Sequence, residues 1–416
     1  MNKPILSLLL LFIFNSPLYA QAVEVSPPDF IKTITFKSST TQGQLPILKL
    51  GETLELEFDA LNNYEEDFYY VIEHYNYDWT PSNLVKSEYL KGLDNQRILT
   101  YVNSFNTYQI YSHYDLKIPN LQTRALLKSG NYMISIFDDY GELMFSRKFM
   151  IYEDILSVGA QVKRSRDVTA IAEKQSVDLK ISANSFNFNN PLETVKALII
   201  QNNNLNTAIA DLKPQYTLGN ELIYRYDTES AFYGGNEYLF FENKDVRGAN
   251  ISIQFIDLKE LYHAYLFTNT PRRNQPYTYN PDINGNFIIT ALDRTDVDVE
   301  ADYTMIHFSL ALEELENKDI YVYGNYNAFA LNELNRMQFN TERNKYECTM
   351  RLKQGFYNYK YVVVDRLTGE LDEGAISGNY WQTENNYKVL VYYRDLGARF
   401  DRLIGYGEAS SVNISN

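Results

Sequence analysis

The sequence contains a single cysteine, Cys348, among 416 residues. One thiol cannot form an internal disulfide, and it cannot build a cysteine-based metal site. Basic residues are also in the minority, since 38 Lys and Arg stand against 53 Asp and Glu and give a net charge of −15. This acidic balance argues against nucleic acid or anionic lipid as the main partner.

Beyond the N-terminus, no apolar run approaches the roughly 20 residues of a membrane-spanning helix. The N-terminus itself has Lys3, an apolar run from Ile5 to Phe14, and then small residues at two sites that end in Ala20 and Ala22. This pattern predicts a secretory signal peptide over residues 1–22, cleaved after Ala20 or Ala22. The mature chain is therefore expected to be exported, without a lipid anchor and without direct membrane insertion.

Signatures of catalysis and metal binding are missing as well. The four histidines (His74, His113, His263 and His307) form no local ligand pair, and no nucleophile elbow, P-loop or dinucleotide-binding motif occurs. Tyrosines surround His74 and His113, which is typical of core or rim histidines. Cys348 alternates with apolar residues along one strand face and is predicted to be buried. We therefore expect no catalytic residue, cofactor, metal site or small-molecule substrate, and a protein that is not an enzyme.

One segment is similar to a calcium-binding loop. Asp282, Asn284 and Asn286 place side-chain oxygens at the first, third and fifth positions of such a loop. An EF-hand also needs glycine at the sixth position and glutamate at the twelfth, and the sequence departs from both. A tight turn at Asn284-Gly285 followed by an acidic connector is the simpler interpretation. Whether the acidic segment 293–302 binds a cation is left open at this point.

The chain is rich in tyrosine, with 36 of 416 residues. Tyrosine suits half-buried sheet surfaces, where one ring face is dry and the hydroxyl is wet. Apolar and acidic residues alternate from Leu54 to Asp59, and strand-like segments recur along the chain at the spacing of a β-sandwich. Many are shorter than the roughly nine to eleven residues of a membrane-barrel strand. The predicted fold is all-β, with three consecutive immunoglobulin-like sandwiches.

The predicted boundaries follow the connectors of the chain. A polar, proline-bearing stretch at 269–286 and the acidic run at 293–302 precede the last set of strands. The expected division is a signal peptide at 1–22, an N-terminal sandwich at 23–153, a middle sandwich with linker at 154–300, a C-terminal early-set immunoglobulin-like domain at 301–394 and a tail at 395–416.

Short motifs occur in a fixed order along almost the whole mature chain. In the first part they are Phe58-Asp59-Ala60-Leu61, Tyr70 to Trp79, Ser82, Glu88 to Gly92, Ser104-Phe105-Asn106-Thr107, His113-Tyr114, Pro119-Asn120 and Ser129 to Tyr132. In the second part they are Gln201-Asn202, Gly235 to Glu237, Asp282 to Gly285, Leu352 to Tyr359, Thr383 to Asn385 and Arg399 to Gly405. Together they resemble the plug protein family of the type IX secretion system, from about residue 25 to 405. One departure is Tyr75, at a position that is often cysteine in the family.

The resemblance implies a periplasmic protein that binds the large outer-membrane translocon barrel. It also implies that the protein closes the periplasmic opening of this barrel when no substrate is passing. No catalytic group is expected in such a family, and the resemblance assigns no residue to the contact with the barrel.

A second resemblance is confined to the last third of the chain. Val322 to Asn327 and Leu352 to Tyr361 are similar to early-set immunoglobulin-like domains, which include glycogen-binding modules. Those modules typically have tryptophan where Phe329 stands, and this chain has only Trp79 and Trp381. The motif aromatics are therefore expected in the core. A periplasmic or surface carbohydrate-binding module is the alternative function.

Overall fold

A computed structural model of the chain describes residues 21–39, 44–62, 64–183, 187–412 and 414. All but the last two residues of the predicted signal peptide lie outside these ranges. Strands make up 48% of the chain and helices 4%, which confirms the predicted all-β sandwich fold. In the part that is described, no helix has the length and apolar character needed to cross a membrane.

The N-terminal sandwich packs two antiparallel-rich sheets around one apolar core. Its elements are β1 (Ile31–Ser38), β2 (Ile47–Lys49), β3 (Leu54–Ala60), β4 (Tyr69–Tyr75), α1 (Lys86–Tyr89), β5 (Leu90–Gly92), β6 (Gln96–Arg97), β7 (Thr100–Asn103), β8 (Ser112–Ile118), β9 (Thr123–Leu126), β10 (Gly130–Phe137) and β11 (Leu143–Tyr152). One sheet has the order β1-β3-β8-β7 and the other β2-β11-β10-β4-β6, with a small ribbon β5-β9. In β3, Leu54, Leu56 and Phe58 point into the core, as their alternation with acidic residues predicts.

The middle sandwich begins with β12 (Ser157–Arg164), β13 (Lys174–Ser182), α2 (Pro191–Thr194), β14 (Val195–Gln201), β15 (Asn204–Leu212), β16 (Tyr216–Leu218), β17 (Glu221–Tyr224) and β18 (Ala231–Tyr233). One of its sheets has the order β12-β13-β17-β16, with β18 paired to β13. Alternate apolar residues of β13, β14 and β17 face a second core, among them Val177, Val195 and Leu222.

An inserted sandwich follows. Its elements are β19 (Leu239–Glu242), β20 (Ile253–Leu258), β21 (Tyr262–Leu266), β22 (Phe287–Ile289), α3 (Val297–Glu300), β23 (Tyr303–Leu310), β24 (Lys318–Tyr323), a 3-10 turn (Asn325–Asn327), β25 (Gln338–Asn340), β26 (Lys345–Lys353), β27 (Gly355–Asp365) and β28 (Leu371–Asp372). Strands β19, β22, β24 and β28 all pair with β27, and the opposing sheet has the order β20-β21-β23-β26-β25. A third core lies between these sheets.

The chain then returns to the middle sandwich through β29 (Asn386–Tyr393) and β30 (Arg402–Ser410). These strands complete its second sheet, β15-β14-β29-β30. The pairing differs from the predicted serial division, because strands from 239–289 join the inserted sandwich and β29 joins the middle one. The segment 395–416, expected to be a tail, contains β30. Periodicity identifies strands but carries no information on which distant strands pair, so an insertion is not visible in it.

Strand β30 was not predicted because it contains Gly405 and Gly407, and glycine is unfavourable within strands. In the fold these glycines allow β12 to approach β30 closely. A Cβ atom on Gly405 would lie 2.9 Å from Val158 Cγ2, and one on Gly407 would lie 2.7 Å from the Val158 carbonyl oxygen. The glycines are therefore packing residues rather than loop residues.

Candidate functional site

Two of the residues singled out in the sequence occupy buried structural positions. The His74 side chain is 4% exposed, and its Nε2 lies 3.0 Å from the Ser129 carbonyl oxygen. Burial lowers the pKa of His74 to about 4, so the ring is neutral. Cys348 is buried as expected, and burial raises the pKa of its thiol to about 12. A thiol with this pKa is a poor nucleophile at neutral pH.

His263 and His307 lie side by side, although 44 residues separate them in the sequence. They stand on the neighbouring parallel strands β21 and β23, and His263 Nδ1 is 2.8 Å from His307 Nε2. Burial and the neighbouring ring lower the pKa of His307 to about 4, and burial and Lys259 lower that of His263. Both rings are therefore neutral at pH 7. No sequence pattern predicted this pair, because parallel strand pairing brings the two histidines together.

The calcium-like segment forms the predicted tight turn. Asn284 and Gly285 both have positive φ angles. The Asp282 carboxylate accepts hydrogen bonds from the backbone N–H groups of Tyr238 at 2.5 Å and Asn284 at 2.7 Å. Its oxygens thus stabilise the turn itself.

Several acids of the segment 293–302 also bind backbone groups. Asp302 accepts from the N–H groups of Tyr108 at 2.7 Å and Gln109 at 3.1 Å, and it thereby ties the N-terminal sandwich to the inserted one. Glu300 accepts from the N–H groups of Thr295 and Asp296. The acidic run, interpreted as a connector in the sequence, includes a carboxylate that joins two sandwiches.

A buried ionic cluster lies at the centre of this same junction. Lys353 of the inserted sandwich places its Nζ 2.7 Å from the Asp59 carboxylate of the N-terminal sandwich. Tyr303 donates to the same carboxylate at 2.6 Å, and His113 Nδ1 lies 2.7 Å from its other oxygen. The Asp59 and Lys353 side chains are 0% and 1% exposed. We call this group of four the Asp59 cluster.

The electrostatics of the Asp59 cluster keep its carboxylate ionised. Burial alone would raise the pKa of Asp59, but the Lys353 ammonium and His113 outweigh it and hold the pKa below its usual value. Burial opposes the charged form of His113, and the hydrogen bond to Asp59 outweighs it and raises the pKa. Burial and Asp59 raise the pKa of Tyr303 far above its ordinary value, so this hydroxyl remains a donor. Three hydrogen-bond donors thus surround the buried Asp59 carboxylate.

The middle and N-terminal sandwiches meet through polar and apolar contacts. Arg402 donates to Glu153 through two nitrogens, at 3.0 and 2.7 Å, and Ser129 donates to the same carboxylate at 2.6 Å. Tyr392 donates to the side-chain oxygen of Asn131 at 2.6 Å. The apolar residues of this junction are Leu45, Ile47, Met150, Ile200, Leu390, Tyr392 and Leu403.

The middle and inserted sandwiches are joined by two connectors, 234–238 and 373–385. Side-chain-to-backbone hydrogen bonds hold the connectors against one another. Beside them, Asn204 donates to the Tyr323 hydroxyl at 3.1 Å and to Glu373 at 3.2 Å. Each sandwich therefore contacts both of the others, and these contacts define one arrangement of the three.

One stretch of the surface is unusually apolar. In residues 99–110, which we call the apolar segment, five large side chains are each more than half exposed: Leu99, Val102, Phe105, Tyr108 and Ile110. Five exposed apolar side chains within twelve residues make this segment a candidate interaction surface. No sequence pattern predicted the exposure of these side chains.

The backbone of the apolar segment is held by the inserted sandwich. The Phe105 N–H donates to the Val299 carbonyl at 2.9 Å, and the Tyr108 N–H donates to Asp302. The Tyr108 ring also packs edge-on against Tyr262, with centroids 5.4 Å apart. A surface held in this way loses little conformational entropy when a partner binds.

The aromatics considered for sugar binding are covered or buried. Lys148 Nζ lies 4.3 Å from the centre of the Trp79 ring, and the Arg164 guanidinium lies 4.5 Å from that of Trp381. Phe329 is 2% exposed and packs against Tyr323, so its expected core position is confirmed. A cation therefore covers one face of each indole.

The fold and the surface together define an all-β body of joined sandwiches that presents an exposed apolar segment held by backbone hydrogen bonds. The profile of the "Type 9 secretion system plug protein 1st domain" matches residues 31–153. This match to the first domain of the type 9 secretion system plug proteins supports the family that the motifs resemble. The match implies a component of this secretion system as partner and a location at the cell envelope, and the family is not a known enzyme family.

A solved structure extends the similarity to nearly the whole chain. The crystal structure of a hypothetical protein from Parabacteroides merdae is similar at 32% sequence identity with a TM-score of 0.90. The similarity covers 94% of this chain and 100% of that protein. No curated protein matches the chain.

Proposed function

We propose that this protein binds the outer-membrane barrel of the type 9 secretion system from the periplasm and closes its opening when no substrate is passing. The observation that carries the proposal is the plug-domain match over residues 31–153, which contains the apolar segment. The N-terminal sandwich would then supply the contact with the barrel, and the other two sandwiches would supply bulk and support.

The junctions of the three sandwiches suit occlusion physically. A body that closes a wide aqueous pore has to keep its shape, and the Asp59 cluster and the Arg402–Glu153 pair oppose relative movement of the sandwiches. A plug also has to be released. An interface formed by a small apolar segment with polar surroundings is weaker than an obligate apolar interface and permits release.

Co-purification tests the contact. A tagged form of the protein, recovered from solubilised outer membranes, should bring the translocon barrel with it in stoichiometric amount. The double variant Phe105→Ser/Ile110→Ser should lose most of the barrel. The double variant Leu367→Ser/Leu396→Ser removes two side chains that are each 80% exposed elsewhere, and it should retain the barrel.

Permeability tests the occlusion. Deleting the protein should make cells sensitive to large antibiotics that the outer membrane normally excludes, and the sensitivity should disappear when the barrel is deleted as well. A deletion strain that stays impermeable, or one that leaks without the barrel, contradicts the proposal.

A further inference from the structure

On the outward face of the inserted sandwich, planar side chains form a row across three strands. Phe255 on β20, Tyr265 on β21 and His307 on β23 stack with ring centroids 4.2 and 4.1 Å apart. The ring planes differ by 9° and 5°. His263 continues the row, because its Nδ1 lies 2.8 Å from His307 Nε2.

The orientation of His307 is determined from two directions. The Tyr265 ring covers one face of the imidazole, and the Thr349 hydroxyl lies 2.9 Å from Nδ1. These contacts aim Nε2 at His263. Histidines that bind metals almost always have their second ring nitrogen engaged in this manner, since the hydrogen bond sets the ring orientation and the tautomer.

When the two rings are hydrogen-bonded to each other, His263 Nδ1 and His307 Nε2 share one proton. If the proton of His263 is on Nε2 instead, both of these nitrogens have a free lone pair. The two rings then need not lose a proton before they bind a metal ion. Two neutral imidazoles are then positioned as ligands. Asp257 is the residue directly opposite His263 in the β20–β21 ladder, so a carboxylate stands on the same face.

We propose that His263 and His307 bind a borderline divalent transition-metal ion, such as Zn²⁺ or Cu²⁺. Zinc–nitrogen distances of about 2.0–2.1 Å in tetrahedral geometry place two ligand nitrogens about 3.3 Å apart. The two nitrogens therefore have to separate by roughly half an ångström, and each ring has to turn so that its lone pair points at the ion instead of along the N–N line. Imidazole ligands suit zinc and copper, and copper binds the tighter of the two. This site is independent of the proposed plug function.

Titration calorimetry with Zn²⁺ tests the site on the mature chain, prepared without a histidine tag. One equivalent should bind. His263→Gln and His307→Gln should each abolish binding, and glutamine retains a hydrogen-bonding group at both positions. Thr349→Val should weaken binding about tenfold or more, because it removes the group that orients His307. Thermal unfolding without metal checks that each variant is folded.

A control variant addresses the carboxylates that could bind a cation instead. Glu66, Asp138 and Asp139 bring three carboxylates within 4.8 Å of one another, the one such group among the described residues. Asp138→Asn should leave zinc binding unchanged. With Cu²⁺, electron paramagnetic resonance should show coupling to imidazole nitrogen that is lost in both histidine variants. Absence of binding in the wild type, or binding that persists in both histidine variants, overturns the proposal.

Discussion

The Asp59 cluster should be among the most sensitive points of the molecule. The perturbation is Lys353→Met, which keeps the length of the side chain and removes the ammonium. Asp59 then remains 0% exposed with only His113 and Tyr303 as partners. Removing one partner of a buried ion pair typically costs about 3–5 kcal/mol, because the remaining charge is left uncompensated. Since two donors remain, we expect a loss of about 3 kcal/mol in the free energy of unfolding.

Urea unfolding measures this loss from the midpoint and the slope. The double variant Asp59→Asn/Lys353→Met should be less destabilised than the sum of its single variants, with a coupling of about 0.5–3 kcal/mol. Lys49→Met is the matched control, because the Lys49–Asp154 pair has a similar separation of 2.8 Å but lies on the surface. It should shift the midpoint only slightly. If Lys353→Met shifts the midpoint no more than Lys49→Met, the reasoning is refuted.

The pH dependence of stability is a second test of the Asp59 cluster. The folded-state pKa of Asp59 is lowered, so its contribution is present above its unfolded value and is lost as pH falls through the folded value. The folded-state pKa of His113 is raised, so its contribution is present below its unfolded value and is lost as pH rises through the folded value. The stability difference between wild type and Asp59→Asn should therefore be greatest between about pH 4 and 6.5. A difference that does not decrease below pH 4 or above pH 6.5 contradicts the assignment.

Three further outcomes are expected. Cys348 should react with a thiol reagent far more slowly in the folded than in the denatured protein, and Cys348→Ala should cost on the order of 1 kcal/mol; rapid native labelling contradicts its burial. Gly407→Ala should lower the free energy of unfolding by about 1–3 kcal/mol, because the new Cβ meets the Val158 backbone. Gly159→Ala is the control: its Cβ would have its nearest contact at 3.6 Å, so the same unfolding assay should show little change. Burial raises the pKa of Glu237 to about 7, so the stability of the fold should fall as pH rises from about 4.5 to 7. Urea midpoints measured across this pH range should show the fall in the wild type and not in Glu237→Gln.

The sequence was sufficient for local features and insufficient for distant pairing. The alternation from Leu54 to Phe58 predicted β3, and the apolar neighbours of Cys348 predicted its burial, because both depend on side chains within one strand. The Asp59 cluster could not be predicted, since Asp59 follows the same alternation as its solvated acidic neighbours. Its partner Lys353 is 294 residues away. The pairing of His263 with His307 was missed for the same reason.

The topology bears on how the three sandwiches resist displacement relative to one another. The middle sandwich is built from strands on both sides of the insertion, since β14 pairs with β29 along its full length. The inserted sandwich is consequently held by two connectors rather than one, and by the Asp59 cluster, which joins it to the N-terminal sandwich. A purely apolar junction would tolerate sliding, because the hydrophobic effect is not directional. A buried carboxylate with three placed donors is satisfied in one arrangement only, so displacement of the inserted sandwich leaves charges unpaired. We infer that the polar junctions, more than the three apolar cores, give the molecule a fixed shape.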